Sequence, residues 1–353
     1  MLKVTFSIIS CYLNAFVAVF SNSILIFLII TKTPRSMGNY RFLMLIFSIF
    51  GIIFAFIDGT NQPMLHFYNG AYVIFSRNVL GLPRQISFWY IALNCACYGM
   101  IMLLLVYHFL YRFLAVCHPT RLKIFSYPYF SILVLIFILI SAGWLILAIH
   151  VAGENPVVDE HIRDTMLINF DLTRFDYTYA SSLFYRKNPV TKEEYASIPD
   201  FLFLLNLGLI IGTGFSIVIY CWFKLRKELL NSAGQIQNLS QRTLDMQRQL
   251  FRSLVAQTLF PVFLMFIPAG ILLCFPIFKT NMGPIEIIIL PLITTQPFMD
   301  ALVPMYFIKI YRMAILKFFC RSKYDTRVHG VLSLAMDNSG TRGNSTKNVS
   351  LKI

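Results

Sequence analysis

Apolar positions in this chain come in seven long runs, each closed by a polar stretch. The runs cover about 4–31, 42–66, 85–113, 127–151, 201–223, 250–278 and 285–308. As an α-helix rising ~1.5 Å per residue, each is long enough to cross a hydrocarbon core of roughly 30 Å. The pattern predicts an all-α membrane protein, a seven-transmembrane helix bundle occupying residues 1–320. The first run is too long for a signal-peptide core, and Lys32, Arg35 and Arg41 follow it, so it reads as a retained first helix. Residues 33–39 and 68–84 read as loops, punctuated by Pro34, Gly38, Gly70, Gly81 and Pro83. The polar, acidic insert at 152–199 reads as the one large loop. Pro261, Pro268 and Pro276 predict bends within or at the end of the sixth run. Leu225, Leu229, Ile236, Leu239 and Leu250 keep roughly helical spacing through the polar stretch between the fifth and sixth runs. After the seventh run, 311–320 is amphipathic, and the Ser/Asn/Gly-rich segment 321–353 reads as a disordered cytoplasmic tail.

Composition agrees with the pattern. The chain is 57% hydrophobic and 13% charged, about half the charged share of a soluble domain. A net charge of +14 would favour nucleic acid in a soluble protein. Here it reads as basic cytoplasmic loops beside anionic membrane lipid, and no nucleic-acid partner is expected. The segments 32–41, 112–123 and 224–252, with the tail from Lys309, hold 21 basic residues, against nine on the other side. The N-terminus is therefore expected outside and the C-terminus in the cytoplasm. The N-glycosylation sequons begin at Asn238, Asn344 and Asn348, all on the expected cytoplasmic side, so no N-glycan is expected. None of the seven cysteines falls in 152–199, and neither a CxxC nor a zinc-spaced His/Cys cluster occurs, which predicts no disulfide in that insert and no metal site.

Candidate chemistry starts at Arg112, the first charge after Arg84. At the edge of an apolar run, an arginine either anchors the span in water or turns inward, where its cost implies a function. Asp300 is either its ionic partner or a cap for backbone freed by Pro297 and Pro304. Stepping back from Arg112 by three or four residues gives Phe109 or His108, Leu105, Met102, Tyr98, Asn94, Ile91 and Phe88, a stripe expected to face the bundle. Asn94 and Tyr98 are its polar members in the outer half. They serve either interhelical hydrogen bonds or, with Asn206, Phe266 and Glu286, a pocket for a small ligand. Asp58 and Glu286 are lone acids near the outer ends of their helices; an ammonium ligand would use one of them, but both read rather as reaching interfacial water. Cys320, after two phenylalanines, is either a palmitoylation site or an inert thiol.

The YRFLAVCHP segment at 111–119, placed after a third span, resembles the end of the third helix in rhodopsin-like G-protein-coupled receptors. There Arg112 matches the arginine of an acid-Arg-Tyr triplet and Pro119 the proline of the next loop, while Asn22 resembles the first-helix asparagine. The closer resemblance is to nematode seven-transmembrane chemoreceptors of the Str class, which include the diacetyl-type odorant receptor. It is carried by TKTPRSMGNY at 31–40, YRFLAVC at 111–117, QRQLFRSLVAQTLFPVFLMFIP at 247–268 and YFIKIYR at 306–312. That resemblance implies an olfactory receptor for a small-molecule odorant, in the ciliary plasma membrane of sensory neurons, signalling through a heterotrimeric G protein, with Arg112, Tyr111, Asp300 and Asn22 in its switch. The chain departs from the wider pattern in five ways. Tyr111 replaces the acid, Ile49 stands where a sodium-site aspartate would, the sixth span lacks Cys-Trp-x-Pro, the seventh has DALVPMY at 300–306 rather than Asn-Pro-x-x-Tyr, and the cysteine pair stapling the third helix to the outer loop is missing.

Other functions find less support. Enzyme motifs such as His-Glu-x-x-His or Gly-x-Ser-x-Gly are absent, and no cofactor is implied. Seven unlike spans with few intramembrane charges argue against a transporter. An insect-type ligand-gated channel would place its N-terminus inside, against the basic-residue distribution. A peptide receptor, using the acidic insert, is the remaining alternative.

Overall fold

The computed structural model describes residues 2–34, 37–77, 80–188, 191, 193–235, 241–280 and 285–318. The long helices are α1 (Leu2–Lys32), α2 (Tyr40–Asn61), α3 (Arg84–Cys117), α4 (Tyr129–Val151) and α6 (Ile198–Gln235), with a short α5 (Pro156–Phe170) between the last two. Next comes a bent rod: α7 (Gln241–Pro261), a π-helical turn (Val262–Phe266), α8 (Ile267–Cys274) and a 3-10 turn (Phe275–Phe278). The last rod is broken into α9 (Ile285–Ile293) and α10 (Gln296–Phe307). Among the described residues, six rods are long and apolar enough to cross a membrane, and α9 with α10 makes the seventh.

α1 lies along α2, α3 lies between α6 and α4, and α10 packs on α1 and α7. Small residues permit the closest approach. A Cβ at Gly59 would sit 2.6 Å from the Cβ of Ala15, and one at Gly51 would sit 3.0 Å from Asn22 Oδ1, the close-packing device of membrane helices. The broken last rod follows from its prolines. Pro291 and Pro297 each remove a donor and crowd the preceding turn. Asn14 on α1 donates to the Pro291 carbonyl (3.0 Å) and Thr294 Oγ1 (2.7 Å), and Asn22 donates to the Pro297 carbonyl (2.9 Å).

One end of the bundle departs from the sequence expectation. The second apolar run does not continue to 66 as helix. It stops at Asn61, Gln62 turns left-handed (φ 47°), and β1 (Met64–Tyr68) begins. Residues 68–84 are not a simple loop, because β2 (Ala71–Ser76) pairs antiparallel with β1 through a two-residue turn. That turn is Asn69-Gly70, with φ of 38° and 85°, and Asn-Gly between apolar stretches is the strongest short hairpin signal in a sequence. The insert 152–199 also folds. Asn155 caps α5 by accepting from Val157 N (2.9 Å), Pro156 opens the helix, and β3 (Thr178–Leu183) joins β2. β4 (Tyr185–Lys187) and β5 (Glu194–Ala196) form a second small ribbon. The bundle thus carries a β-cap, which an all-α reading omits. Val4 of α1 belongs to the core of this cap, with Ile162, Met166, Tyr179 and Phe75.

At the opposite end, α3 runs to Cys117 and α6 to Gln235, beyond the expected limits of 113 and 223. Leu225, Leu229 and Leu250 are buried there. Residues 236–240, with Ile236 and Leu239, lie outside the described residues, as does everything from 319 onward.

Gly59→Ala is expected to force α1 from α2 and cost about 1–3 kcal/mol, as overpacking does. Gly143→Ala, whose Cβ would meet nothing within 4 Å, is expected to be neutral or stabilising by up to ~1 kcal/mol. Thermal unfolding of the two purified variants in one detergent checks both signs.

Candidate functional site

Among the described residues, two clusters of buried polar side chains along α3 are candidates for function. The first lines a cavity of 140 Å³ beneath the β-cap. α3 supplies Asn94 and Tyr98, α4 supplies Trp144, α6 supplies Phe203, the π-helical turn supplies Phe266, and α9 supplies Leu290. β1, β2 and β3 form its roof through residues such as Leu65, Ile74 and Ser181. The wall is overwhelmingly apolar. Asn94 Nδ2 donates to Asp58 Oδ1 at 3.1 Å, which turns the amide oxygen away from the carboxylate. Among the described residues, Asn94 Oδ1 and Tyr98 Oη find no hydrogen-bond partner, and both are sealed behind the wall. Tyr98 packs edge-on against Phe54, with ring centroids 5.2 Å apart. An unpaired buried polar atom costs about 1–3 kcal/mol, so the wall holds two unsatisfied groups one helical turn apart.

The structure brings Asn94, Tyr98 and Phe266 together at this cavity, and Asn206 does not join them. α6 presents Phe203, Leu207 and Ile211 to the cavity at spacings of four. Asn206 sits one residue off that stripe, about 100° around the helix, and is exposed in a neighbouring groove between α4 and α6. Glu286 lies within α9, but its side chain is outside the described residues. Asp58 does not reach interfacial water, because it is only 3% exposed and points at Asn94.

The second cluster is at the far end of α3. Arg112 is 3% exposed, so it turns inward rather than anchoring in water. Its guanidinium carbon lies 3.5 Å from the centre of the Tyr40 ring, and Nη1 donates to Gln247 Oε1 at 2.9 Å. Nε and Nη2 make no hydrogen bond among the described residues. Tyr111 packs on Tyr40 (5.4 Å) and edge-on to Phe125 (5.0 Å). Asp300 is not the partner of Arg112. It accepts from Gln296 Nε2 at 2.7 Å, one turn back along α10, and its backbone carbonyl accepts from Gln257 Nε2 at 3.2 Å. Asn22, 1% exposed, ties α1 to α10 at the Pro297 carbonyl. Cys320 lies outside the described residues.

Sequence reasoning missed the glutamines of α7. Gln247 holds α3 through Arg112. Gln249 Oε1 accepts from Lys309 N at 2.9 Å, at the start of the helical segment 309–318. Gln257 holds α10. Amides spaced two and then eight residues apart along a run of helical periodicity were the available signal.

The cap is fastened by its own ions. Glu154 accepts from Arg84 (3.0 Å and 3.1 Å) and from Arg174 (3.1 Å). Arg174 also pairs with Asp159 at 2.5 Å, and Tyr179 donates to Asp159 at 2.7 Å. Burial pushes the Tyr179 phenol well above its ordinary range, so it remains a donor at any physiological pH. Asp200 at the start of α6 is 1% exposed and accepts from Arg186 (2.9 Å), Leu183 N (3.3 Å) and Ser197.

Comparison with known proteins adds a family. The profile of the serpentine type seven-transmembrane GPCR chemoreceptor Str matches residues 7–316. Serpentine receptor class r-10 of Caenorhabditis briggsae is 25% identical over 306 residues, covering 86% of this chain and 87% of the relative. G-protein coupled receptor str-217 of Caenorhabditis elegans is 27% identical over 319 residues, covering 87% and 88%. G-protein coupled receptor str-33 of the same organism is 24% identical over 322 residues, covering 88% and 90%.

Asp200→Ala is expected to strand the Arg186 guanidinium and the Leu183 amide, loosening the cap by about 1–3 kcal/mol. Limited trypsin digestion at Arg186 and Lys187 should then run faster than in the unaltered protein. Equal rates would place the fastening of the cap elsewhere.

Proposed function

The chain belongs to the Str family of serpentine seven-transmembrane GPCR chemoreceptors, and we propose that it is an olfactory receptor. It holds one small external chemical in the cavity beneath the cap and passes the signal to a heterotrimeric G protein at the Arg112 end. On this reading the cap faces outside, the Arg112 end faces the cytoplasm, and the protein works in the plasma membrane of a sensory cilium.

The observation that carries the proposal is a shared rod. Phe266 and Met265, in the π-helical turn, line the cavity, and Gln247 on the same rod holds Arg112. A π turn is a local widening of the helix and recurs at functional sites. It is the compliant point about which the lower part of α7 can swing. A ligand that fits the cavity better when Phe266 has moved favours the swung state by that difference in affinity, and by no more. The swing takes Gln247 from Arg112. The guanidinium is then left beside Tyr40 with unmet donors, and a carbonyl or carboxylate of the G protein supplies acceptors.

The ligand chemistry follows from the wall. A volume of 140 Å³ is close to the ~150 Å³ of an apolar cavity that accepts benzene. The occupant is therefore small, uncharged and mostly apolar. A peptide exceeds that volume. Asn94 and Tyr98 engage a polar atom of the ligand once their side chains rotate toward it.

In reporter cells screened with volatile and water-soluble small molecules, Arg112→Ala should keep normal surface expression and lose at least tenfold in agonist-driven signal. Signalling at the unaltered level would remove the switch role. Gln247→Ala should raise signalling without agonist. Asn94→Leu and Tyr98→Phe should each shift the half-maximal concentration about fivefold, the equivalent of ~1 kcal/mol, with trafficking unchanged. Superimposable dose–response curves would take both residues out of the pocket.

A further inference from the structure

A groove of 520 Å³ opens on the outer surface of the bundle between α4 and α6. Leu147 and Val151 form one wall, Leu202 and Leu209 the other, and Phe203 closes the back. Phe203 also lines the central cavity. A single aromatic side chain of α6 thus borders both spaces. We infer that this groove is a lateral vestibule, in which a small neutral ligand dissolved in the membrane collects before passing Phe203 into the cavity. The inference rests on the reading of that cavity as the ligand site.

Three observations support this route over one through the cap. First, the roof is fastened. Every residue of β3 is buried, Ser181 N donates to the Ala152 carbonyl (2.8 Å), Leu183 N donates to Asp200, and Tyr185 Oη donates to the Ile277 carbonyl (2.9 Å). Lifting the sheet breaks several of these bonds in a buried setting, each at a cost of about 1–3 kcal/mol if left unmet. Rotating a phenylalanine about its side-chain bonds breaks none. Second, the groove faces the medium in which such a ligand concentrates. α4 and α6 turn apolar residues outward along their length, among them Leu135, Leu139, Leu205 and Leu209. A molecule suited to an apolar cavity partitions from water into hydrocarbon for the same reason that it enters the cavity. Third, the groove carries one polar side chain, Asn206, which is exposed and makes no hydrogen bond among the described residues. A carboxamide facing hydrocarbon without a partner is costly. At the mouth of a vestibule it offers a hydrogen bond to the polar atom of a ligand about to leave the membrane.

The native thiol of Cys95, which lines the cavity, reports the route without any agonist. The full chain in lipid nanodiscs is treated with neutral methyl methanethiosulfonate or with its charged trimethylammonium-ethyl analogue, and mass spectrometry follows modification of Cys95. The expected result is modification by the neutral reagent and none by the charged one over the same time. Asn206→Trp and Leu202→Trp, which fill the groove without touching the cavity wall, should each slow the neutral reaction at least tenfold. Asn206→Ala should not slow it. The inference is overturned if the charged reagent modifies Cys95 comparably, which means entry from water through the cap, or if both tryptophan variants react at the unaltered rate. It is also overturned if the neutral reagent leaves Cys95 unmodified in lipid under conditions that modify it in the unfolded chain, which means that the groove does not lead to the cavity. None of these readouts uses an agonist or a G protein. A failed signalling assay would leave the route intact, and a failed route would leave the signalling assay to be judged by itself.

Discussion

A guanidinium group sealed inside an apolar bundle must find something to replace its water. Arg112 makes no ion pair among the described residues. It has the face of Tyr40 at 3.5 Å and the amide oxygen of Gln247 at 2.9 Å. A desolvated cation over an aromatic face gains about 2 kcal/mol or more, and a hydrogen bond to a charged group adds about 1.5–3 kcal/mol. Neither matches the hydration that was given up, so the arrangement holds the helices together while remaining easy to exchange for a better acceptor. The tie also fixes geometry. Tyr40 opens α2, Arg112 nears the end of α3, and Gln247 lies early in α7, so one side chain sets the spacing of three rods.

The rest of the bundle follows the same economy of polar groups. Inside a bilayer each backbone donor and acceptor needs a protein partner. Pro304 removes the donor that the Asp300 carbonyl, one turn back, would have met, and Gln257 Nε2 supplies one in its place. Asn14 and Asn22 on α1 reach across to the carbonyls of Pro291 and Pro297 themselves, where the last rod breaks. Amides suit this task because they donate and accept without carrying a charge that hydrocarbon would penalise. Most ion pairs among the described residues lie instead in the β-cap, where Arg84, Glu154, Arg174 and Asp159 form one network around Tyr179.

The cavity lies between these two regimes. Its roof is the hydrogen-bonded cap, and part of its wall is the π-helical turn of the rod that holds Arg112. On the proposed reading, a molecule held in the cavity meets a hydrogen-bonded roof on one side and the π-helical turn on the other. Among the described residues, Asn94 Oδ1 and Tyr98 Oη stay unpaired behind that wall, at a cost of about 1–3 kcal/mol each.

The seven apolar runs determined by themselves that this is a polytopic helical membrane protein. Segment length and the need to satisfy the backbone inside a bilayer permit little else. The stripe counted back from Arg112 is likewise a property of helical periodicity, and Ile91, Asn94, Met102, Leu105 and His108 are all buried on it. The Asn69-Gly70 turn and the Asn155-Pro156 helix start were also written in the chain, the first hidden because the apolar residues before it prolong the second run, the second because it lies in a polar, acidic insert. What only the tertiary structure decided is pairing. Asp300 meets Gln296 and Gln257 rather than Arg112, Asn206 faces outward rather than into the cavity, and Asp58 meets Asn94 rather than water. Periodicity assigns a residue to a face of its own helix. The neighbour that face meets depends on helix rotation and on breaks at prolines and π turns, and those are set by packing among rods far apart in sequence.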